Sequence, residues 1–288
     1  MSENCSHNCS SCGETCASRT MESFRVPLNP QSSVKKVIGV VSGKGGVGKS
    51  LVTSLMACKM RARNNRVGIL DADITGPSIP KAFGIHGMVG VTADQLMLPR
   101  TTSTGIEILS SNLILEHETD PVIWRGPVVG GVIKQFWSEA LWKDIDYMFV
   151  DMPPGTGDIH LSLMQDLKIS GAIIVSTPQK IALADVRRGI GMFRAKQINI
   201  PVLGIVENMA WFTPAELPAN RYYIFGKGGA QELARSENIP LLAEIPLIQS
   251  VREAADAGTP VATQESTSAA FYTGLAKNLV TELEKTGH

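Results

Sequence analysis

Residues 43–50 read Gly-Lys-Gly-Gly-Val-Gly-Lys-Ser, and no other stretch restricts the fold of this chain as tightly. They fit the pattern G-x-x-x-x-G-K-[ST]. The stretch follows a β-branched run, Lys35–Ser42, that predicts a strand, and opens Lys49–Arg63, whose apolar period and length predict a helix. Strand, glycine-rich loop and helix form the context in which this pattern cradles a phosphate. Glycines let the backbone wrap so that amides point inward, and the helix N-terminus adds positive potential. Gly43, Gly45, Gly46, Val47 and Gly48 are therefore expected to build the cradle. Lys49 is expected to reach the β- and γ-phosphates of a nucleotide, and Ser50 to ligate Mg²⁺. The plainer alternative is a glycine-rich turn that binds nothing.

Such a site needs acids at the C-terminal ends of neighbouring strands. The run RVGILDAD ends on Asp71 and Asp73, and YMFVD ends on Asp151. Asp is also common ahead of a Gly-Pro turn, which is the other reading of the first pair. Further strands are predicted at IEILSS, GAIIVSTP, VLGIVENM and LLAEIP. Helices are predicted near 128–142, 182–197, 251–257 and 269–285. Continuously apolar strands alternating with helices predict an α/β fold, a doubly wound, mostly parallel sheet covered on both faces. Residues 34–288 read as one such domain. Residues 1–33, rich in Ser, Asn, Thr and Cys, read as a flexible N-terminal tail and linker.

Composition narrows the partners. Lys+Arg and Asp+Glu balance at 27 each, which argues against a strong non-specific grip on nucleic acid or an anionic membrane. No segment reaches the ~20 apolar residues that span a bilayer, and the first residues lack a secretory pattern. The chain thus reads as cytoplasmic, where thiols stay reduced. In that setting the cluster Cys5, Cys9, Cys12 and Cys16 reads as metal or redox chemistry. The remaining cysteine, Cys58, falls in an apolar helix and reads as packed core.

Lys44 is a second lysine within the loop, and K-G-G-x-G-K-[ST] resembles the deviant phosphate loop of the MinD/ParA/nitrogenase-iron-protein class. That resemblance implies that Lys44 reaches across a homodimer to the partner's nucleotide, a cation delivered in trans to developing phosphate charge. The competing reading is a solvated surface lysine. The resemblance also implies that Asp73 lies near Mg²⁺ and the attacking water, and that Asp151 holds Mg²⁺ through water. Gly155 and Gly157 would offer amides to the γ-phosphate, and Asn208 would read the adenine edge. A simple strand-to-loop turn is the other reading of Asn208. The segments DADITGPSIP, PVIWRGPVVGG, YMFVDMPPGTGD, STPQKIALADVRRGI, GIVENMAWF and IFGKGGAQELA are similar to the Mrp/ApbC branch, the iron–sulfur cluster carrier ATPases. The likeness runs from about Val37 to the C-terminus. It implies a homodimer that binds and slowly hydrolyses ATP, receives a [4Fe–4S] cluster in concert with an assembly scaffold, and passes it to apo-proteins.

One departure stands out. The branch carries C-P-x-C shortly after the ENM segment, whereas this chain has Thr213 and Glu216 at the two cysteine positions around Pro214. Fe–S clusters need thiolates, so the tail cysteines become the candidate ligands. Their spacings, x₃, x₂ and x₃, are tighter than those of the N-terminal motif in eukaryotic relatives of the branch. Zinc remains open, since four thiolates suit tetrahedral Zn²⁺ and His7 can replace one; an unliganded reduced tail is the third reading. A MinD/ParA-like spatial regulator is the alternative function. The C-terminal segment FYTGLAKNLVTELEKTGH has few basic residues and several acids, which fits a docked helix better than a membrane anchor.

Overall fold

The computed structural model describes residues 25–74, 76–115, 126–155, 157–196, 198–259 and 267–286. The first half contains β1 (Val34–Ser42), α1 (Lys49–Ala62), β2 (Val67–Asp71), α2 (Ile79–Ala82), β3 (Gly90–Val91), β4 (Met97–Leu98), β5 (Arg100–Thr101) and β6 (Glu107–Leu109). Then come α3 (Gly126–Ser138), β7 (Ile145–Pro154), α4 (Asp158–Asp166), β8 (Gly171–Ser176) and α5 (Lys180–Arg194). The chain continues through β9 (Val202–Phe212), α6 (Gly229–Ser236), β10 (Leu241–Leu247), α7 (Gln249–Asp256) and α8 (Thr267–Lys285).

Among the described residues, one eight-stranded sheet runs in the order β10-β9-β8-β1-β7-β2-β6-β5. Every pairing is parallel except that of β5 with β6. β1 sits in the middle, hydrogen-bonded to β7 on one side and β8 on the other. Strand residues alternate between two cores, as the period of two requires. Val37 and Val41 of β1, with Met148 and Val150 of β7, face the core shared with α3, α4 and α5; Ile38 and Val40, with Phe149, face the core shared with α1 and α8. Both faces of the sheet are thus covered, which is why these strands read as unbroken apolar runs rather than alternating ones. α8 buries Tyr272, Leu275, Leu279 and Leu283 against α1 and β10. No helix among the described residues is long and apolar enough to cross a membrane.

Two of the boundaries that differ from the sequence reading have a cause in tertiary packing or backbone geometry. α3 ends at Ser138 rather than near Trp142, because Ala140 bridges to Met97 and Trp142 sinks fully into the core with its indole N–H on the Phe136 carbonyl, 2.9 Å away. β9 continues past Met209, whose φ is +56°, to Phe212, which bridges to Tyr222.

Residues 25–33 run along the body with defined contacts. The Val26 amide donates to the Asp166 carbonyl at 2.9 Å, and the Trp137 indole donates to the Val26 carbonyl at 2.8 Å. Asn29 Nδ2 reaches the Ala140 carbonyl at 2.7 Å, and Ser33 exchanges backbone bonds with Trp142 and Ile145. The chain therefore joins the sheet at the end where β1 and β7 begin, opposite the phosphate loop.

Candidate nucleotide site

The reversal of strand order around β1 opens a crevice at the carboxyl ends of the parallel strands, the place where open α/β sheets bind ligands. β1 ends into the loop 43–48, β7 delivers Asp151, and β2 delivers Asp71, whose Cα is the register partner of Asp151. The loop surrounds a hollow of about 280 Å³ lined by Ser42, residues 44–51, Asp73, Ser78 and Pro154.

The glycines have particular jobs here. Gly48 holds φ +81° as the N-cap of α1, and a Cβ there would run into the Asn208 amide. Gly43 lies so close to α5 that a Cβ would meet Asp185 Cβ at 2.8 Å and the Val186 amide nitrogen at 2.9 Å. The nitrogen is α5 backbone and the Cβ is fixed directly to it, so Gly43→Ala has to push the loop away from α5. We expect Gly43→Ala to cost about 2 kcal/mol, the scale of overpacking, and to weaken nucleotide binding. Thermal denaturation and nucleotide titration check it; an unshifted melting temperature would contradict the contact.

Asp151 is fully buried and is the centre of the site. Its Oδ2 accepts from Lys49 Nζ at 2.7 Å and from Ser50 Oγ at 2.6 Å, and Thr53 Oγ1 lies 2.7 Å from Oδ1. Lys49, only 6 % exposed, also stands 3.8 Å from Asp73 Oδ2. Its ammonium thus sits between two carboxylates, which compensates the desolvation of a buried charge. Asp71 is fully buried too; it accepts from Ser110 Oγ at 3.0 Å and from the Asp73 amide at 3.2 Å. Burial, and next the charge of Asp151, push the Asp71 carboxyl up to about 8. His160, in the first turn of α4, places Nε2 2.8 Å from the Pro153 carbonyl, and burial pulls its pKa down.

Three of the expected residues have other partners in this structure. The Gly155 amide donates to the Ser42 carbonyl at 2.9 Å. Asn208 Nδ2 donates to the Val47 carbonyl at 2.8 Å and so braces the phosphate loop from β9. Lys44, with 38 % of its side chain exposed, stands 3.5 Å from Asp185 Oδ2, a carboxylate that also accepts from Arg188 at 3.1 Å. Gly45 and Gly46 lie on the rim of the hollow. Gly157 precedes α4 as its N-cap.

The sequence does not single out Thr53, Ser110, His160 or Asp185. Thr53 carries a signal, being one helical turn beyond Lys49 and Ser50 on the same face. The others gain their places only through tertiary contacts.

The second candidate site divides between described and undescribed residues. Cys5, His7, Cys9, Cys12 and Cys16 lie outside the described residues. Thr213 and Glu216 lie in a loop after β9 whose turn closes through Leu217 N–H to the Pro214 carbonyl at 3.2 Å. Glu216 is exposed. Arg221 lies 4.4 Å over the Trp211 ring nearby, and Leu217, Tyr222 and Ile224 are exposed. Cys58 is buried, and that burial pushes its thiol up to about 12, which keeps it a packed thiol rather than a thiolate ligand.

Comparison with known proteins agrees with this geometry. A family described as "ParA: NUBPL iron-transfer P-loop NTPase" matches residues 33–280. A Synechocystis sp. protein named iron–sulfur cluster carrier protein is 43% identical over 251 residues, covering 85% of this chain and 70% of that protein. A Mus musculus protein named iron–sulfur cluster transfer protein NUBPL is 42% identical over 259 residues, covering 88% of this chain and 80% of that protein. Among solved structures, a nucleotide-binding protein from Archaeoglobus fulgidus in complex with ADP is 42% identical, with a TM-score of 0.69, over 78% of this chain and 87% of that one.

Proposed function

Because the chain belongs to the family of NUBPL-type iron-transfer P-loop NTPases, we propose that it is an ATP-binding, slowly ATP-hydrolysing carrier that takes up an iron–sulfur cluster and hands it to apo-proteins. The observation that carries this reading is the cluster of Lys49, Ser50 and Asp151 at the joined ends of α1 and β7, with Asp73 beside Lys49. A lysine, a hydroxyl and two carboxylates around a glycine-rich hollow fit a magnesium–nucleotide. The donor set is hard oxygen, which is what Mg²⁺ takes. Ser50, Asp151 and Asp73 are the residues that would hold it, and when bound it would neutralise charge on the transferring phosphate.

The roles of this chain's own residues follow from their positions. The loop amides and Lys49 bind the phosphates, which draws the ammonium away from its carboxylate partners. Asp73, at the mouth of the hollow, orients the attacking water. Asn208 braces the loop at Val47 and lies where a base edge would be read. Gly155 and Gly157 present amides to the γ-phosphate once Gly155 exchanges its Ser42 carbonyl for the nucleotide. Lys44 exchanges Asp185 for the partner subunit's nucleotide in a homodimer. The cluster is cargo, held by Cys5, Cys9, Cys12 and Cys16, the thiols left once Cys58 is committed to the core. The packing of α8 against α1 and β10 favours this reading over a MinD/ParA-like surface-bound regulator, since its apolar side is already used.

Anaerobic reconstitution with iron and sulfide tests the cargo site. The full chain is expected to acquire visible charge-transfer absorption with stoichiometric iron and sulfide. A variant lacking residues 1–20 is expected to acquire neither while still binding nucleotide. A stable cluster in the truncated protein refutes the tail as its site, and tight zinc without iron in the full chain makes the tail a zinc site instead.

A further inference from the structure

We propose that Thr53 is a positioning residue for Asp151, the donor that keeps this carboxylate aimed at the site when its other two partners leave. This rests on the magnesium–nucleotide reading above. Asp151 is fully buried and, among the described residues, has three side-chain donors within reach, Lys49 at 2.7 Å, Ser50 at 2.6 Å and Thr53 at 2.7 Å. Two of them have other work once a nucleotide arrives, because the loop lysine turns to the phosphates and the loop hydroxyl to the metal. Only Thr53 stays, and it bonds the opposite oxygen, Oδ1.

The location of Thr53 suits that task. It is fully buried on α1, one turn beyond Lys49, so its hydroxyl is shielded from solvent. Its hydroxyl also lies 3.0 Å from the Lys49 carbonyl, the usual partner of a helical threonine four residues on. One hydroxyl proton faces two acceptors, and the ionised one is nearer. The bond therefore ties Asp151 to the helix that carries both Lys49 and Ser50. A rotation of the carboxylate would break it and leave a charged oxygen buried without a donor, which is costly.

The test is the Mg²⁺ dependence of nucleotide binding, read with ADP so that turnover does not intrude. Wild type, Thr53→Val and Thr53→Ser are titrated with Mg²⁺ at fixed ADP, with ADP affinity in EDTA and melting temperature as controls. Thr53→Val is expected to raise the Mg²⁺ midpoint about tenfold or more, the size carried by a hydrogen bond to an ionised group. Its affinity for ADP in EDTA is expected to stay within about twofold, an error band narrower than that tenfold shift. Thr53→Ser keeps the hydroxyl and is expected to retain the wild-type midpoint even where loss of the methyl lowers melting. If Thr53→Val does not fold, Thr53→Ala, which adds no bulk, replaces it. An unchanged midpoint in the valine or alanine variant overturns the inference. So does an equal shift in the serine variant, which would make the effect one of packing. A wild type whose ADP affinity ignores Mg²⁺ overturns the magnesium reading itself, and the inference with it.

Discussion

Lys49→Ala is expected to abolish measurable ATP hydrolysis and nucleotide binding, and to lower stability as well. The two losses have separate origins. Lys49 is 6 % exposed and lies 2.7 Å from a fully buried carboxylate, Asp151. Removing one partner of a buried pair typically costs ~3–5 kcal/mol, because the remaining charge has no counter-ion. The nucleotide-free variant should therefore melt well below wild type. The activity loss comes from the phosphates, which lose the buried cation Lys49 in the hollow; a fall of ~10³-fold in turnover is the scale of removing a cation that stabilises phosphoryl transfer. Lys44→Ala separates the effects. Its partner Asp185 is 3.5 Å away in a partly exposed pair, and pairs of that kind contribute little to stability. The expected outcome is a normal melting temperature, normal ATP binding and strongly reduced hydrolysis. Wild-type turnover in Lys49→Ala would remove the site assignment, and wild-type turnover in Lys44→Ala would return that lysine to the solvated surface.

Asp71→Asn is expected to act in the other direction, raising the melting temperature of the nucleotide-free protein. Asp71 is fully buried with Asp151 beside it, and its carboxyl is pushed up to about 8 from an ordinary 3.8 despite the attraction of Lys49. The sign follows from proton linkage. Below the ordinary value the group is neutral in both folded and unfolded chains, and burial carries no ionisation cost. Between there and about 8 the unfolded chain has released its proton while the folded chain keeps it, so stability falls as pH rises. Above that range both states are ionised and the cost is complete. Asparagine escapes the ionisation cost; its one carbonyl oxygen keeps the Asp73 amide, and its NH2 donates to the Ser110 hydroxyl, which can turn to accept. The advantage of the variant should thus widen from pH 5 to pH 8 and reach on the order of 3 kcal/mol near neutrality. Melting curves at three pH values decide it; an advantage that is absent, or that narrows with pH, contradicts the buried, mostly protonated Asp71.

Much of this molecule was legible because its local patterns and its global fold agree. The phosphate loop, the apolar strands and the acids at their ends each name a place in a parallel sheet before any contact is known. Asp151 could be read from YMFVD alone, since a carboxylate that closes a buried strand must meet a cation or hydrogen-bond donors where the strand ends. Thr53 could be placed on the helix face of Lys49 and Ser50 but not given its partner, because a threonine in a helix shows the same local pattern whether it bonds the carbonyl one turn back or a carboxylate 98 residues away. Asp185 is hidden for the same reason; in sequence it is one acid of an amphipathic helix, and only the packing of α5 on Gly43 brings it to Lys44. The short strands β3, β4 and β5 have two residues each, too few for any period to register. Residues 25–33 looked like linker because their partners are backbone carbonyls on distant elements, Asp166 and Ala140, which leave no mark on the segment's own composition.

The anchoring of Val26 sets a tether length. Val26 lies ten residue steps beyond Cys16, and a fully extended chain covers at most ~3.6 Å per step. A cluster held by Cys16 would therefore stay within roughly 35 Å of the Val26 anchor at the base of the sheet. β1 alone spans nine residues, about 30 Å, between that base and the phosphate loop. Lys44 and any second subunit it serves belong to the loop end. The tether's reach is about the length of β1, so a cluster carried on the tail could be offered at the base of the sheet, away from the surface on which two nucleotide sites would meet, and would come to the loop end only with the tether near full extension.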